Sequence, residues 1–399
     1  MRFVSSARCE LSVKLVIYAH SWAPSVGGVE TITIILARGF AAWKANHPGE
    51  EIAVTLVTQT PASGMNDAAF PFRVVRRPGF RQLVRLIREA DLVHMAGPSL
   101  LPSAIAWLIR KPAVIEHHGF QSICPNGQLL YEPTETPCPG HFMAHRYGQC
   151  IRCNSNLGRF ASVKMWLLAF LRRWLSQRVS ANIVPTAWLG SLLQLNRMKT
   201  IVHGLPPLIL VPESRVTSTI PVFVFLGRLV STKGVRILIE AASFLKAKNY
   251  KFQVRVIGGG PQCQELEKLV RDLGVQSHVQ FLGYVSTEQC DVTLQDATAV
   301  VMPSLGGEVF GLVAAENMQM GRLVIASDLG ALSEVLGDSG MTFATGDAVD
   351  LASCMEKVIA SPRLADEVRE RASRRIAAMF TQEQMIAAHV QVYREICGR

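Results

Sequence analysis

Two glutamates eight residues apart, Glu308 and Glu316, bracket the run EVFGLVAAE. A carboxylate can accept paired hydrogen bonds from a vicinal diol, so each suits the hydroxyls of a sugar or a ribose. A helix beginning near Phe310 or Gly311 would turn its first free amides toward an anion. Glu308 would then lie on the loop before that helix and Glu316 further along it. Glu316 falls inside an apolar helical stretch. An unpaired buried carboxylate is costly, which favours a ligand role over a merely solvated one. Upstream, FLGRLVSTKG (225–234) sets Arg228 and Lys233 five residues apart, just past an apolar run that reads as a strand. A forked guanidinium and a compact ammonium so placed could clamp a pyrophosphate.

Two further stretches sit where strands should end. HSWAPSVGGVE (20–30) carries Gly27 and Gly28 before a helical pattern. A glycine pair there lets backbone approach a phosphate at a helix N-terminus, although a tight turn alone would use the same residues. PAVIEHHGF (112–120) ends in adjacent histidines, of which His118 is the candidate for the cleft. A separate cluster, Cys124, Cys138, Cys150 and Cys153, lies in an otherwise polar, turn-rich segment and includes a C-x2-C pair. Four thiolates suit a structural tetrahedral zinc, with His141 and His145 as substitute ligands. An iron–sulfur cluster or a loop of free thiols remains open at this point.

The elements that must carry these residues repeat one rhythm twice. KLVIYA (14–19), IAVTLVT (52–58), DLVHMA (91–96), PAVIEHH (112–118) and ANIVPT (181–186) read as buried strands. So do VFVFLG (222–227), FQVRVIG (252–258), VQFLGY (279–284), ATAVVMPS (297–304) and GRLVIASD (321–328). Near-continuous apolar strands alternating with helical patterns predict parallel sheets covered on both faces. The expected fold is α/β, with two Rossmann-like domains facing each other across a cleft. A first domain is expected over 1–204, with a Cys-rich insert over 120–156. A second is expected over 205–380. A helix over 381–399 packs back on the first. The break falls at HGLPPLILVPESRVTSTIP (203–221), where four prolines interrupt any period. Ligands of such folds gather at the carboxyl ends of the strands.

The chain has 399 residues, 49% hydrophobic and 18% charged, which excludes disorder. No apolar stretch approaches the ~20 residues of a spanning helix, and the first twenty residues read as a strand rather than a secretory leader. A cytoplasmic location is the expectation. Residues 1–200 hold 22 Lys and Arg against 10 Asp and Glu, whereas 201–399 hold 19 against 21. The basic half therefore calls for an anionic partner. FRQLVRLIR (80–88) aligns Arg81, Arg85 and Arg88, with Arg73, Arg76 and Arg77 just before it. FASVKMWLLAFLRRWLSQR (160–178) forms a stripe of Phe160, Val163, Leu167, Leu171 and Trp174, with Arg172 and Arg173 off it. Such helices suit the inner face of an anionic membrane. A nucleic-acid-binding protein is the rival, but no paired-histidine zinc finger or aromatic ribonucleoprotein motif occurs.

SVGGVE, FLGRLVSTKG, EVFGLVAAE and ASDLGALSEV (326–335), in this spacing, resemble a family-4 retaining glycosyltransferase of the GT-B fold. The resemblance implies a nucleoside-diphosphate sugar as donor, held mainly by the second domain, and a lipid-linked sugar or glycan as acceptor. It puts Gly27 and Gly28 at the donor phosphates, Arg228 and Lys233 on the pyrophosphate, and Glu308 on the transferred sugar. It puts Glu316 on the ribose, the backbone of Phe310, Gly311 and Leu312 along sugar and diphosphate, and His118 on the acceptor side. The chain departs from the pattern at Gly119, His203, Asn317 and Arg322. No D-x-D sequence occurs. The two cations would then do the work of a metal, and no cofactor is required for catalysis. A paired-carboxylate hydrolase, or a non-catalytic scaffold of the same fold, would not need the clamp.

Overall fold

The computed structural model describes residues 12–25, 27–208 and 220–398. The first sheet contains β1 (Ser12–Ala19), β2 (Glu51–Thr58), β3 (Arg73–Arg76), β4 (Leu92–Ala96) and β5 (Ala113–Glu116). A small antiparallel hairpin follows, β6 (Leu130–Tyr131) and β7 (Thr136–Pro137), before β8 (Ala181–Val184) and β9 (Met198–Thr200) return to the sheet. Its order is β3-β2-β1-β4-β5-β8-β9, parallel throughout. The second sheet holds β10 (Val222–Leu226), β11 (Gln253–Ile257), β12 (Val279–Gly283), β13 (Ala299–Met302), β14 (Leu323–Ser327) and β15 (Met341–Phe343). Its order is β12-β11-β10-β13-β14-β15, again parallel.

Every strand predicted from an apolar run is present. Of those the sequence did not announce, β6 and β7 form the separate hairpin, and β3 (RVVR), β9 (MKT) and β15 (MTF) are sheet edges, short and polar on one side. An edge strand has one pairing side to satisfy and little apolar surface to bury, so it leaves little pattern. Central strands are fully buried, as in β8 and β13. Helices cover both faces, and each sheet contributes to separate core clusters on its two sides.

The expected break over 203–221 falls largely on 209–219, outside the described residues. What precedes it runs against the chain's second crossing. Leu205 N–H donates to Phe380 O at 2.8 Å and Gln382 N–H to Leu205 O at 3.0 Å. A side chain on Gly204 would meet Thr381 O at 2.2 Å, so glycine is what lets the two segments touch. The helix Gln382–Cys397 then lies on the helix Gly28–Asn46, its Ile386 filling the space a side chain at Gly39 would need. Tyr393, buried, caps the first half's core, and Arg394 pairs with Glu50.

Candidate active site between the two sheets

The loops after β10, β11 and β13 meet over the second sheet. Gly258 and Gly260 are packed so tightly that side chains would strike Gly227 O at 1.9 Å and Leu229 O at 2.3 Å. The run IGGGP at 257–261, not singled out in the sequence, is the means by which the Arg228 loop is held. Gly234 adopts φ +62° against Pro303 O, which brings Lys233 over the loop after β13. There the Lys233 ammonium forms an ion pair with Glu308, and Ser304 Oγ donates to the same carboxylate oxygen at 3.1 Å. Glu308 is buried and Lys233 about one-quarter exposed. The helix Leu312–Gln319 starts at Gly311, whose φ of +90° and contact with Leu332 exclude any side chain. No side chain caps that helix, so its first amides are left for another acceptor. Phe310 is buried below, and Leu312 touches the cores of both halves.

The other donor-side candidates are less tied together. Arg228 is exposed and makes no ion pair with another described residue. Glu316 is exposed on its helix, contrary to the buried carboxylate expected from its apolar neighbours. The helix is only two turns long, and Glu316 falls on its outer side while Ala314, Ala315 and Met318 face inward. Desolvation therefore does not penalise its charge. Gly27 caps the helix Gly28–Asn46 in extended backbone, with no side-chain cap. A side chain on Gly28 would meet nothing within 4 Å, so space lies open above that helix end.

The adjacent histidines at the end of β5 divide. His117 turns inward, its Nε2 2.8 Å from Asn182 Oδ1, and burial pushes its pKa down to about 4. His118 lies just beneath the surface with its Nε2 toward Glu116 and stacks on His203, ring centroids 5.2 Å apart, and His203 in turn meets Phe310 at 4.9 Å. Beneath them lies Glu116, wholly buried, which the sequence reading did not single out. Its Oε2 is 3.1 Å from His94 Nε2 and 3.6 Å from His118 Nε2; its Oε1 is 3.3 Å from His203 Nε2 and 3.8 Å from His389 Nε2. Tyr393 Oη is 2.8 Å from His94 Nδ1. Burial pushes the Glu116 carboxyl up, but the surrounding imidazoles, His118 foremost, outweigh it and hold it well below the carboxylate range. The one available signal was a carboxylate closing a strand that is otherwise entirely apolar. His94, His203 and His389 come from three distant segments.

The Cys-rich insert reaches across to the second half. Gly307 N–H donates to Gln128 O at 2.6 Å and Gln262 to Glu135 at 3.3 Å. Thr186 Oγ1 donates to Val309 O at 3.0 Å, and the Glu334 carboxylate accepts from Ala187 and Trp188 N–H at 2.8 and 2.9 Å. Between these clasps lies a cavity of about 740 Å³, lined by Phe120, Leu129, Cys138, Trp188, Gly306 and Leu329 among others. Arg228, Lys233, Glu308 and Glu316 do not line it, although Gly306 and Gly307 stand immediately beside Glu308.

Within the insert the four thiols are free, and Cys124, Cys138 and Cys153 add to burial in making Cys150 harder to ionise. Burial pushes Cys124 to about 11 and Cys150 to about 12. Cys153 Sγ accepts from Glu132 N–H at 3.4 Å and from Asn126 at 3.7 Å. Four thiolates on one zinc would stand about 3.8 Å apart. Among the described residues, only Glu116, His118 and His203 have ligand atoms all within 4.8 Å of one another. The thiols thus gather without closing to the spacing of a single ion. His141 instead packs edge-on against Tyr131, and His145 bonds Tyr147.

On the far side of the first sheet, three helices lie side by side: Phe80–Glu89, Leu100–Leu108 and Arg159–Ser176. The expected stripe is exposed, with Phe160 at 94% and Leu167 at 54%. Phe80, Trp107 and Leu108 extend it, and Trp107 meets Trp174 edge to face at 4.9 Å. Arg81, Arg85 and Arg88 are exposed, whereas several other arginines are spent on structure. Arg76 is clamped by Asp67 and three carbonyls, and Arg173 binds the carbonyls of Leu193 and Gln194.

Residues 211–375 match the sequence profile of the family described as glycosyl transferases group 1. Alpha-D-kanosaminyltransferase of Streptomyces kanamyceticus is 29% identical over 178 residues, 44% of this chain and 46% of that one. Phosphatidyl-myo-inositol mannosyltransferase of Mycolicibacterium smegmatis is 32% identical over 177 residues, 44% of this chain and 45% of that one. The chain thus spans just under half the length of the curated relatives it matches. Anabaena HepE, solved in complex with UDP and glucose, superposes with a TM-score of 0.68 at 16% identity, over 96% of this chain and 100% of that one. TarM superposes with a TM-score of 0.70 at 13% identity, over 96% and 98%. The likeness shows the fold: two Rossmann-like units facing each other, the GT-B arrangement.

Proposed function

We propose that the chain is a glycosyltransferase that moves a hexosyl group, with retention of configuration, from a nucleoside-diphosphate sugar to a lipid-linked or polysaccharide acceptor. The observation that carries this reading is the Lys233–Glu308 pair at the uncapped start of the helix Leu312–Gln319. An acid that can grip sugar hydroxyls, a cation and a set of free amides converge there at the carboxyl edge of a parallel sheet. Breaking the bond between sugar and diphosphate leaves negative charge on the departing phosphate. Fixed positive charge and amide dipoles at that point stabilise the transition state more than the bound donor. Lys233 and the exposed Arg228 supply the charge, and the proposed reaction needs no cofactor there. Glu308, held by Lys233 and Ser304, orients the sugar, while the exposed Glu316 is accessible to a ribose. The Gly27–Gly28 helix end closes on the phosphates from the opposite half, and His118 faces the acceptor.

The relatives support the chemistry by what they are: a kanosaminyltransferase and a mannosyltransferase among the curated chains, and a neighbour holding UDP and glucose. A nucleic-acid ligand has no comparable support. The exposed apolar stripe flanked by Arg81, Arg85 and Arg88 supports a peripheral seat on an anionic, cytoplasmic membrane face. No helix among the described residues is long and apolar enough to cross a membrane. A panel of UDP-, GDP- and ADP-sugars, read by ligand-induced thermal shift, tests the donor assignment. One nucleotide should raise the melting temperature, and Glu316→Ala should remove the rise. An undiminished shift would move the ribose elsewhere.

A further inference from the structure

Four polar atoms beneath the cleft have no hydrogen-bond partner although they are sealed from solvent: Glu116 Oε1, His118 Nε2, His203 Nε2 and His389 Nε2. Buried polar atoms are almost always paired, so four orphans converging on one spot need a cause. The usual cause of a carboxylate ringed by imidazoles is charge-assisted hydrogen bonding, at about 2.7–2.9 Å. Here the separations from the carboxylate are 3.3, 3.6 and 3.8 Å for His203, His118 and His389. Only His94 bonds it, through Nε2 to Oε2 at 3.1 Å, which leaves Oε1 unused.

The tautomers sharpen the problem. His389 Nδ1 lies 2.8 Å from Met385 O, and a carbonyl can only accept, so the proton is on Nδ1. With only that proton, the lone pair of Nε2 faces Glu116 Oε1, acceptor against acceptor. A positive charge between them removes the conflict, either a second proton on the ring or a metal cation, and the spacing is what favours the metal.

The spacing fits one. Zinc bound by nitrogen and oxygen at about 2.0–2.1 Å in tetrahedral geometry puts neighbouring ligand atoms about 3.3 Å apart. Glu116 Oε1 and His203 Nε2 stand 3.3 Å apart. Two imidazoles sharing that ion through Nε2 would have ring centroids about 5.2 Å apart. Those of His118 and His203 are 5.2 Å apart. The three ligand atoms lie within 4.8 Å of one another. Outer partners are also in place: His94 fixes Oε2 while Tyr393 fixes His94, an arrangement that orients a metal-binding carboxylate.

We propose that Glu116, His118 and His203 form a binding site for a zinc-type divalent cation in the floor of the cleft, with His389 Nε2 as the nearest further nitrogen. The site is separate from the Lys233–Glu308 pair and does not depend on the donor reading. It is also separate from the cysteine insert, which the test must hold apart.

The full chain, stripped with chelator, is titrated with Co²⁺ alone and then with Zn²⁺. Expected are the visible bands of tetrahedral cobalt without thiolate-to-cobalt charge transfer in the near ultraviolet, both displaced by zinc. His118→Ala and His203→Ala, each checked for wild-type circular dichroism and melting, should weaken this binding at least about tenfold. Cys150→Ser should leave the bands unchanged. Cobalt bands of thiolate type only, an affinity unmoved in both histidine variants, or no binding by the folded wild-type chain would each overturn the assignment.

Discussion

Replacing Lys233 by methionine keeps the length of the side chain and deletes its charge. Glu308 then keeps Ser304 as a partner but loses its counter-ion while remaining largely sealed from water. Removing one partner of a fully buried pair costs about 3–5 kcal/mol, and an exposed pair is worth about 0–1 kcal/mol. With Lys233 about one-quarter exposed, screening discounts the buried figure, and about 2 kcal/mol of stability is the expectation. At about 2–4 °C per kcal/mol for a unit of this size, melting should fall by about 4–8 °C. Adding Glu308→Gln removes the orphaned charge and should restore most of that loss, a coupling that a double-mutant cycle reads directly. Turnover should behave differently. Losing a fixed charge at the leaving group costs about 10²–10³ in kcat, and Glu308→Gln should not return it. Calorimetry on the four chains, with donor consumption followed alongside, separates the two effects. Additive destabilisation in the double variant, or a Lys233→Met chain within about threefold of wild-type kcat, would refute the reasoning, since an effect that small is far below the expected range.

The clasp between halves makes a second prediction. Glu334→Ala removes two charge-assisted bonds to the start of the helix Ala187–Leu193, so the halves should separate in solution scattering, with KM rising more than kcat falls. Gly311→Ala forces a side chain onto Leu332 at φ +90°, and should cost about 2–3 kcal/mol or more and abolish donor binding, read by thermal shift. Glu50 carries a pH dependence: burial pushes its carboxyl up, but the Trp43 indole and Arg394 outweigh it, so the net shift is downward. A depressed carboxyl stabilises above its unfolded pKa and loses that stabilisation as pH falls through the folded one. The helix Gln382–Cys397 should therefore loosen below about pH 4.5, and Glu50→Gln should flatten that response in hydrogen exchange. Finally, Phe160→Glu combined with Leu108→Glu, both on exposed positions of the stripe, should release the chain from anionic vesicles in co-sedimentation without lowering its melting temperature.

What the sequence made legible follows from what leaves a local pattern. Buried parallel strands write themselves as apolar runs, and the loops after β1, β5, β10 and β13 were found because glycines and charges mark strand ends. Edge strands left little. Glu316 misled because apolar neighbours on a two-turn helix do not tell which side faces out. Arg76 and Arg173 read as free basic surface, yet each satisfies backbone carbonyls brought close only by folding. The Glu116 cluster was out of reach for the same reason: its imidazoles come from β4, the β5 loop, the linker and the last helix, and no spacing connects them.

That cluster also fixes what can move. His94, Glu116 and His118 belong to the first sheet, and His389 and Tyr393 arrive on the terminal helix, which packs on the helix Gly28–Asn46. The terminal helix is thus part of the first half, although it follows the second in sequence. His203 stands one residue before Gly204, where the two crossing segments touch. An opening of the cleft about the Gly204–Thr381 contact would leave Glu116, His94, His118 and His389 together while drawing Phe310 away from His203. Lys233 and Glu308 lie on the moving side, and His118 on the fixed one. Closure, rather than the fold of either half, is what would bring an acceptor held beside His118 to a sugar held by Glu308.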